Sequence, residues 1–200
     1  FESILEGDKS LSSRPMTRIM DPLKLMGAEF GNISGTLPLK IIGKKLNKSK
    51  IEIEIPSAQI KSGLILASLN IEGISHIIEK NTTRDHTENM LKSFGADIKV
   101  EKNKYQTSIY IKGKHELKSK NINVPSDLSS SAFFIIAALI NKGSKISLNN
   151  ININPSRDGI LKALKKMGAK INIKNHRTLS GENVADLEVE YIDLVGCELD

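Results

Sequence analysis

The sequence has 200 residues, which is room for one large domain or two small ones. Hydrophobic residues make up 39% and charged residues 26%, so a globular chain is indicated rather than a disordered one. A single cysteine excludes an internal disulfide framework, and the longest apolar run, 132–140, is too short to span a bilayer. The first residues carry no signal peptide, so we expect a cytoplasmic protein, and the absence of an initial methionine suggests an internal piece of a longer chain.

The net charge of +6 has two interpretations. One is a solvated lysine-rich surface, and the other is an anionic partner, such as a phosphorylated small molecule or a nucleic acid. Only 5 of the 29 basic residues are arginine, the side chain used where a planar, bidentate fork is needed. Tryptophan is absent and aromatics are 4%, which argues against a stacking platform for single-stranded nucleic acid.

Hydrophobic periodicity and turn residues predict alternating strands and helices. The predicted strands are 2–6, 37–42, 51–55, 74–79, 97–101, 107–112, 121–124, 145–149, 170–174 and 186–191. The predicted helices are 15–26, 58–70, 85–94, 128–141 and 156–167. This alternation indicates an α/β or α+β fold with helices packed on sheets. Because helices 58–70 and 128–141 are apolar nearly all round, we expect both to be buried.

An internal repeat organises the chain. Three segments close a helix pattern on glycine, at Gly27, Gly95 and Gly168, and then enter a strand rich in β-branched residues. A second pair of similar segments is 57–75 and 127–147, and both series are offset by about 70 residues, which predicts a repeated unit of two helices and about four strands. A proline interrupts the pattern near 124–127, so we expect domains 1–124 and 125–200.

Several predicted helices begin with polar residues beside a basic one. A helix start offers free N–H groups and partial positive charge, so a nearby arginine would complete a site for phosphate or carboxylate. The alternative is that these residues only cap the helices, for about 1 kcal/mol each. The starts are Arg14-Pro15 with Pro15 at the first helical position, Ser57 with Lys61, Thr83-Arg84-Asp85 with capping-box spacing between Asp85 and Glu88, and Asn154-Pro155-Ser156-Arg157.

The order of motifs along the chain resembles a known family. The motifs are GDKSLSSRPM (7–16), SAQIKS (57–62), TTRDHTENML (82–91), SDLSSSAFF (126–134), NPSRDGIL (154–161) and GENVADL (181–187). They resemble the 5-enolpyruvylshikimate-3-phosphate synthases, in particular the class II branch, over essentially the whole chain. One departure is Ser156, where that branch usually has threonine.

The resemblance implies the enolpyruvyltransferase fold, in which two inside-out, barrel-like α/β domains are each built from three βαβαββ units. This chain would supply most of one domain (1–124) and the start of the other (125–200). The implied reaction transfers the enolpyruvyl group of phosphoenolpyruvate to the 5-hydroxyl of shikimate 3-phosphate. No metal or organic cofactor, nucleic acid or membrane would take part, and the full-length protein would be a monomer. The family's catalytic acid and lysine would lie beyond residue 200, so we expect this chain alone to be inactive.

The resemblance also assigns binding roles. Arg14 matches the arginine that grips phosphoenolpyruvate. Ser57 through its hydroxyl and Ala58 through its backbone match positions at the phosphate of shikimate 3-phosphate. Gln59 matches a glutamine between the two substrates, and Arg84 matches an arginine on the shikimate-phosphate side.

Three further motif residues are expected to act indirectly. Lys61 is expected to be a supporting charge, and Asp127 and Arg157 are expected to make caps and hinge contacts.

Three further functional classes remain open at this point. The enolpyruvyltransferase that acts on UDP-N-acetylglucosamine has a reactive cysteine loop, whereas Cys197 stands in V-G-C-E outside any such loop. The second class is a basic nucleic-acid-binding α/β module, and the third is a truncated, functionless scaffold.

Overall fold

The computed structural model describes residues 1–31 and 34–198, which form two compact units, 1–118 and 119–198. The helices are α1 Lys9–Ser12, α2 Thr17–Leu25, α3 Ala58–Ser68, α4 His86–Ser93, α5 Leu128–Ile140 and α6 Gly159–Lys166. The strands are β1 Glu2–Leu5, β2 Glu29–Phe30, β3 Leu39–Ile42, β4 Lys50–Ile53, β5 Ile74–Glu79, β6 Asp97–Lys102, β7 Thr107–Lys112, β8 Lys145–Asn152, β9 Ile171–Leu179 and β10 Glu182–Glu190. Within the described ranges no helix combines the length and the apolar character that crossing a bilayer requires.

The first unit contains one complete βαβαββ unit, β4-α3-β5-α4-β6-β7. Its sheet has the order β4-β5-β7-β6, in which only β4 and β5 are parallel, because α3 crosses over between them. A smaller antiparallel sheet has the order β1-β3-β2. The predicted helices and strands of this unit are confirmed. Helix α1 and strand β2 were not predicted, because α1 has four residues and β2 has two, which is too few to show a hydrophobic periodicity.

The core of the first unit lies between α3 and its sheet. Leu64 and Ile65 of α3 and Ile109 and Ile111 of β7 are all completely buried. Burying a side chain of this size stabilises the fold by about 1.5–3 kcal/mol.

The second unit repeats the pattern as α5-β8-α6-β9-β10, with sheet order β8-β10-β9. The predicted strand 121–124 is wrong, because its place is taken by a single parallel bridge between Ser126 and Ile151. Ser126 donates its N–H to the Asn150 carbonyl (2.8 Å) and accepts from the Asn152 N–H (2.9 Å). Pro125 has no N–H to donate to a ladder, so the pairing does not extend through it.

The glycines that close the repeated helices have the expected backbone. Gly95 follows α4 and Gly168 follows α6, each with a φ of +86°, and Gly27 follows α2 with a φ of +94°. A side chain would be strained in this left-handed region, which explains glycine at the repeated position.

Two helices begin later than predicted, and for the last one a local side-chain bond gives the reason. The last helix begins at Gly159, since Asn154 Oδ1 accepts from the Ser156 N–H (2.9 Å) and hydroxyl (2.6 Å) and holds a turn ahead of it. The first begins at Thr17 after Met16, so Pro15 lies before the helix and not at its first position.

The predicted capping box at α4 is also wrong. Asp85 makes no side-chain cap, and its carboxylate accepts instead from the Asn89 side chain (3.3 Å). Glu88 cannot reach back to the cap because its carboxylate pairs with Lys61 (2.8 Å).

Helix α5 is buried on one side only, contrary to the expectation of a helix buried all round. Ile135 and Leu139 are completely buried, whereas Phe133 and Phe134 are 80% and 64% exposed. The second unit has one sheet to pack against, so the opposite face of α5 stays uncovered within the described residues.

Asp127 caps α5, as expected, and its removal has a pH-dependent consequence. Its carboxylate accepts from the Ser130 N–H (2.9 Å), and this bond, with help from the Ser130 hydroxyl and Arg157, holds the pKa of Asp127 below its usual range. We expect Asp127→Ala to cost about 1 kcal/mol in the free energy of unfolding at neutral pH. Because the folded pKa is depressed, the stabilisation is complete above the unfolded pKa of about 4 and is lost as the pH falls through the folded value.

Urea unfolding of both proteins between neutral and strongly acidic pH measures this difference. The control Asp127→Asn keeps an acceptor without an ionisable group, so its stability relative to Asp127→Ala should not vary with pH. A difference between Asp127 and Asp127→Ala that stays constant down to acidic pH would contradict the expectation.

Candidate anion-binding site

The first turn of α3 carries three of the predicted binding residues. Ser57 is the N-cap, with extended backbone, and its hydroxyl accepts from the Ile60 N–H at 3.4 Å. Ser57 and Ala58 are half-buried and Gln59 is exposed. The opening N–H groups of this helix have no acceptor within it, and the helix dipole adds partial positive charge, so the turn is suited to an anion.

Gln59 is tied to α2 by an arginine that the sequence did not single out. Arg18 Nη2 donates to Gln59 Oε1 at 3.1 Å. The two helices approach closely because Gly63 has no side chain: a Cβ there would lie 2.9 Å from Ile19 Cδ1. This bond uses the side-chain oxygen of Gln59. The side-chain NH₂ group is a separate donor that the bond does not use.

Arg84 lies in the loop 80–85 between β5 and α4, beside a residue that is held firmly. Thr83 donates its N–H to Glu79 Oε1 (3.2 Å) and its hydroxyl to Glu79 Oε2 (2.8 Å). Arg84 itself is exposed and immediately precedes the N-cap of α4, Asp85. The side chain therefore extends from a fixed backbone into solvent.

Lys61 does not present its charge to solvent. Its Nζ lies 3.1 Å from Glu79 Oε1 and 2.8 Å from Glu88 Oε1, and the three side chains are 1%, 2% and 3% exposed. This buried cluster joins α3, β5 and α4. Any support that Lys61 gives to binding must therefore act through the positions of other residues.

Arg14 lies between α1 and α2, in a short segment pinned at both ends. Its N–H donates to the Leu11 carbonyl (3.1 Å), and two residues later the Met16 N–H donates to the Gly35 carbonyl (2.6 Å). The Arg14 side chain is exposed.

The five arginines divide into two groups. Arg18, Arg157 and Arg177 contact Gln59, Asp127 and Asp186 at 3.1, 3.1 and 2.8 Å. Within residues 1–31 and 34–198, the guanidinium groups of Arg14 and Arg84 make no ion pair or hydrogen bond. Among the described residues, these two arginines are therefore the ones whose side chains have no internal partner and could bind an external anion.

The structure thus brings Ser57, Ala58 and Gln59 together on one turn, and joins Arg84 to the same helix through the buried cluster. Among the described residues, neither Arg14 nor Arg84 makes a hydrogen bond to that turn. Arg18 and Glu79 were not predicted from the sequence, and Glu88 was assigned to a capping box rather than to the cluster with Lys61. The available signal was Lys61 itself, since a lysine inside an apolar helix requires buried carboxylates as partners.

A neighbouring cleft of about 240 Å³ beside α2 and β4 is a poor place for a phosphate ester. Its lining includes Asp21, Glu52 and Glu54 against the single guanidinium of Arg18. Carboxylates of this number repel an anion, so the exposed helix start remains the better site.

The two motif residues in the second unit pair with each other. Arg157 Nη2 lies 3.1 Å from Asp127 Oδ1 and also donates to the Ser129 hydroxyl. Both side chains are thereby committed to holding the start of α5 beside the turn that precedes α6.

A βαβαββ unit, a capped helix start and two guanidinium groups without a partner among the described residues are typical of the α/β proteins that hold small anions. Comparison with known proteins makes this specific. The family model described as EPSP synthase (3-phosphoshikimate 1-carboxyvinyltransferase) matches residues 1–198. The chain belongs to the EPSP synthase family, as the motifs indicated.

Individual relatives agree with this assignment. The 3-phosphoshikimate 1-carboxyvinyltransferase of Desulforamulus reducens is 45% identical over 100% of this chain and 46% of its own length. The protein of the same name from Magnetococcus marinus is 47% identical over 100% of this chain and 44% of its own length. The EPSP synthase structure from Acinetobacter baumannii superposes with a TM-score of 0.86 at 44% identity, over 95% of this chain and 42% of that one. The predicted fold is confirmed, and the chain spans less than half the length of these relatives.

Proposed function

We propose that this chain forms part of an enzyme that transfers the enolpyruvyl group of phosphoenolpyruvate to the 5-hydroxyl of shikimate 3-phosphate. The observation that carries the proposal is that, among the described residues, the guanidinium groups of Arg14 and Arg84 make no ion pair or hydrogen bond, in a family member whose α3 start is open to an anion. Both substrates are phosphate esters that also carry a carboxylate, which suits bidentate arginine and helix N–H donors.

The proposed roles follow the geometry of each group. The Ser57 hydroxyl and the Ala58 N–H at the α3 start receive the phosphate of shikimate 3-phosphate, and Arg84 neutralises it. Gln59, with its oxygen held by Arg18, directs its amide N–H₂ between the two substrates. Arg14 binds phosphoenolpyruvate. Holding two anions side by side turns an encounter of three molecules into a reaction within one complex.

The chemistry proposed is addition followed by elimination. The 5-hydroxyl oxygen bonds to C2 of phosphoenolpyruvate while its proton is removed and the methylene carbon gains a proton. The C2–O bond to phosphate then breaks, the methyl group loses a proton, and inorganic phosphate is released. By family resemblance, the acid and base for these proton transfers are supplied from outside these 200 residues. This chain contributes binding and orientation.

We also propose that the enzyme acts in the cytoplasm as a monomer, with small-molecule substrates and no nucleic acid. The family membership supports this proposal.

A phosphate-release assay tests the function. The complete protein, meaning one that carries this chain at the family's full length, should release inorganic phosphate when both substrates are present and not with either alone. UDP-N-acetylglucosamine in place of shikimate 3-phosphate should give no release, and the isolated 200-residue chain should be inactive. No release by the complete protein would refute the function, and turnover by the isolated chain would refute the division of roles.

A further inference from the structure

Thr83 is held by every polar group it has. Glu79 accepts from both its N–H and its hydroxyl, at 3.2 and 2.8 Å. Its carbonyl accepts from Lys61 Nζ at 3.4 Å. The residue that follows is Arg84, so the backbone position of this free arginine is set by two buried side chains.

The directions of the N–H donors of Lys61 fix the position of the loop that contains Thr83. An ammonium group has three N–H donors, and the three acceptors are Glu79 Oε1, Glu88 Oε1 and the Thr83 carbonyl. Two of the acceptors belong to regular elements, at the end of β5 and on α4. The third donor therefore locates the loop relative to α3, the helix whose start carries Ser57.

Stability alone is a poor explanation for this cluster. The carboxyl groups of Glu79 and Glu88 share a single ammonium group, and Glu88 Oε2 is buried with no hydrogen-bond partner among the described residues. Well-packed apolar side chains in place of buried ions are often equally stabilising, so ions of this kind are better explained by what they position.

We infer that Lys61, Glu79 and Thr83 act together as a positioning device that sets Arg84 opposite the start of α3 to receive the phosphate of shikimate 3-phosphate. The inference rests on the proposed function. None of the three residues touches substrate; each acts through Arg84.

Thr83→Val tests this in the complete protein, because it removes the hydroxyl bond to Glu79 Oε2 and keeps the shape of the side chain. We expect the Kd and the KM for shikimate 3-phosphate to rise by about tenfold, because the released loop should weaken about one hydrogen bond from Arg84 to the charged phosphate. The KM for phosphoenolpyruvate should change by less than about twofold, because its arginine is held in another segment.

Two matched variants separate positioning from general damage. Thr83→Ser restores the hydroxyl and should bring the KM back to within about twofold of the starting value. Thr82→Val removes a hydroxyl from the same loop that bonds to Thr107 (2.9 Å) and not to the cluster, so it should leave the KM unchanged. Amide hydrogen exchange at positions 83 and 84 should accelerate in Thr83→Val and not in Thr82→Val.

The outcomes are distinct. If the parent protein binds shikimate 3-phosphate and Thr83→Val binds it equally well, the positioning role is refuted while the function stands. If the parent protein does not bind it, the proposed function fails. If amide hydrogen exchange at positions 83 and 84 is unchanged in Thr83→Val, the positioning role is refuted, whatever the variant does to substrate binding.

Discussion

Replacing Lys61 with methionine is expected to lower the free energy of unfolding by about 3–5 kcal/mol, because two buried carboxylates lose their counter-ion. Glu79 and Glu88 are only 2% and 3% exposed, so losing the ammonium leaves their carboxylates poorly solvated. Methionine fills much of the same volume, so the effect reports charge and hydrogen bonding more than a cavity. Urea unfolding of the complete protein, followed by a probe in the first unit, measures it.

Two further variants define the cause. Lys80→Met removes an exposed lysine that pairs with Glu52, and it should leave the stability almost unchanged because water screens a surface ion pair. Adding Glu79→Gln and Glu88→Gln to Lys61→Met removes the unpaired charges and should recover part of the loss. A Lys61→Met protein as stable as its parent would show that the cluster does not bear charge in the folded state.

Arg84→Ala is expected to raise the Kd for shikimate 3-phosphate by about 10- to 100-fold, the range for a lost hydrogen-bonded charge. The fold should be unaffected, because the guanidinium makes no ion pair or hydrogen bond among the described residues. Titration calorimetry gives the Kd, and thermal unfolding gives the stability. Arg84→Ala should thus weaken binding without lowering stability, whereas Lys61→Met should lower stability.

Lys92→Ala is the matched control for Arg84→Ala. Lys92 is exposed in the last turn of α4 and is not one of the proposed binding residues, so its removal changes the net charge equally. Arg84→Lys should lose most of the affinity, because an ammonium cannot form two parallel bonds to phosphate. Equal losses for Arg84→Ala and Lys92→Ala would mean that only overall charge matters.

The βαβαββ unit was predictable because its signals are local and occur twice. Glycine after each helix, an apolar helix and β-branched strands recur at the same offset, and each follows from nearby residues. The strand at 121–124 failed because the pattern of Ile122 and Val124 resembles a strand while Pro125 prevents the pairing. Patterns show where apolar residues alternate, and not whether a partner strand can accept them.

The residues of the site were likewise predictable only where their partners are close in the sequence. Ser57 was recognisable as a cap because its partner, Ile60, is three residues away. The role of Lys61 was not, because Glu79 and Glu88 lie 18 and 27 positions along the chain and only the fold brings them together. Gln59 was expected at the site, but its bond to Arg18 depends on the packing of two helices.

The most direct test is a crystal structure of the complete protein with shikimate 3-phosphate. We expect the phosphate oxygens about 3 Å from the Ser57 hydroxyl and the Ala58 N–H, with the Arg84 guanidinium against the same phosphate. A phosphate bound elsewhere, with Ser57 and Arg84 both left in solvent, would contradict the account.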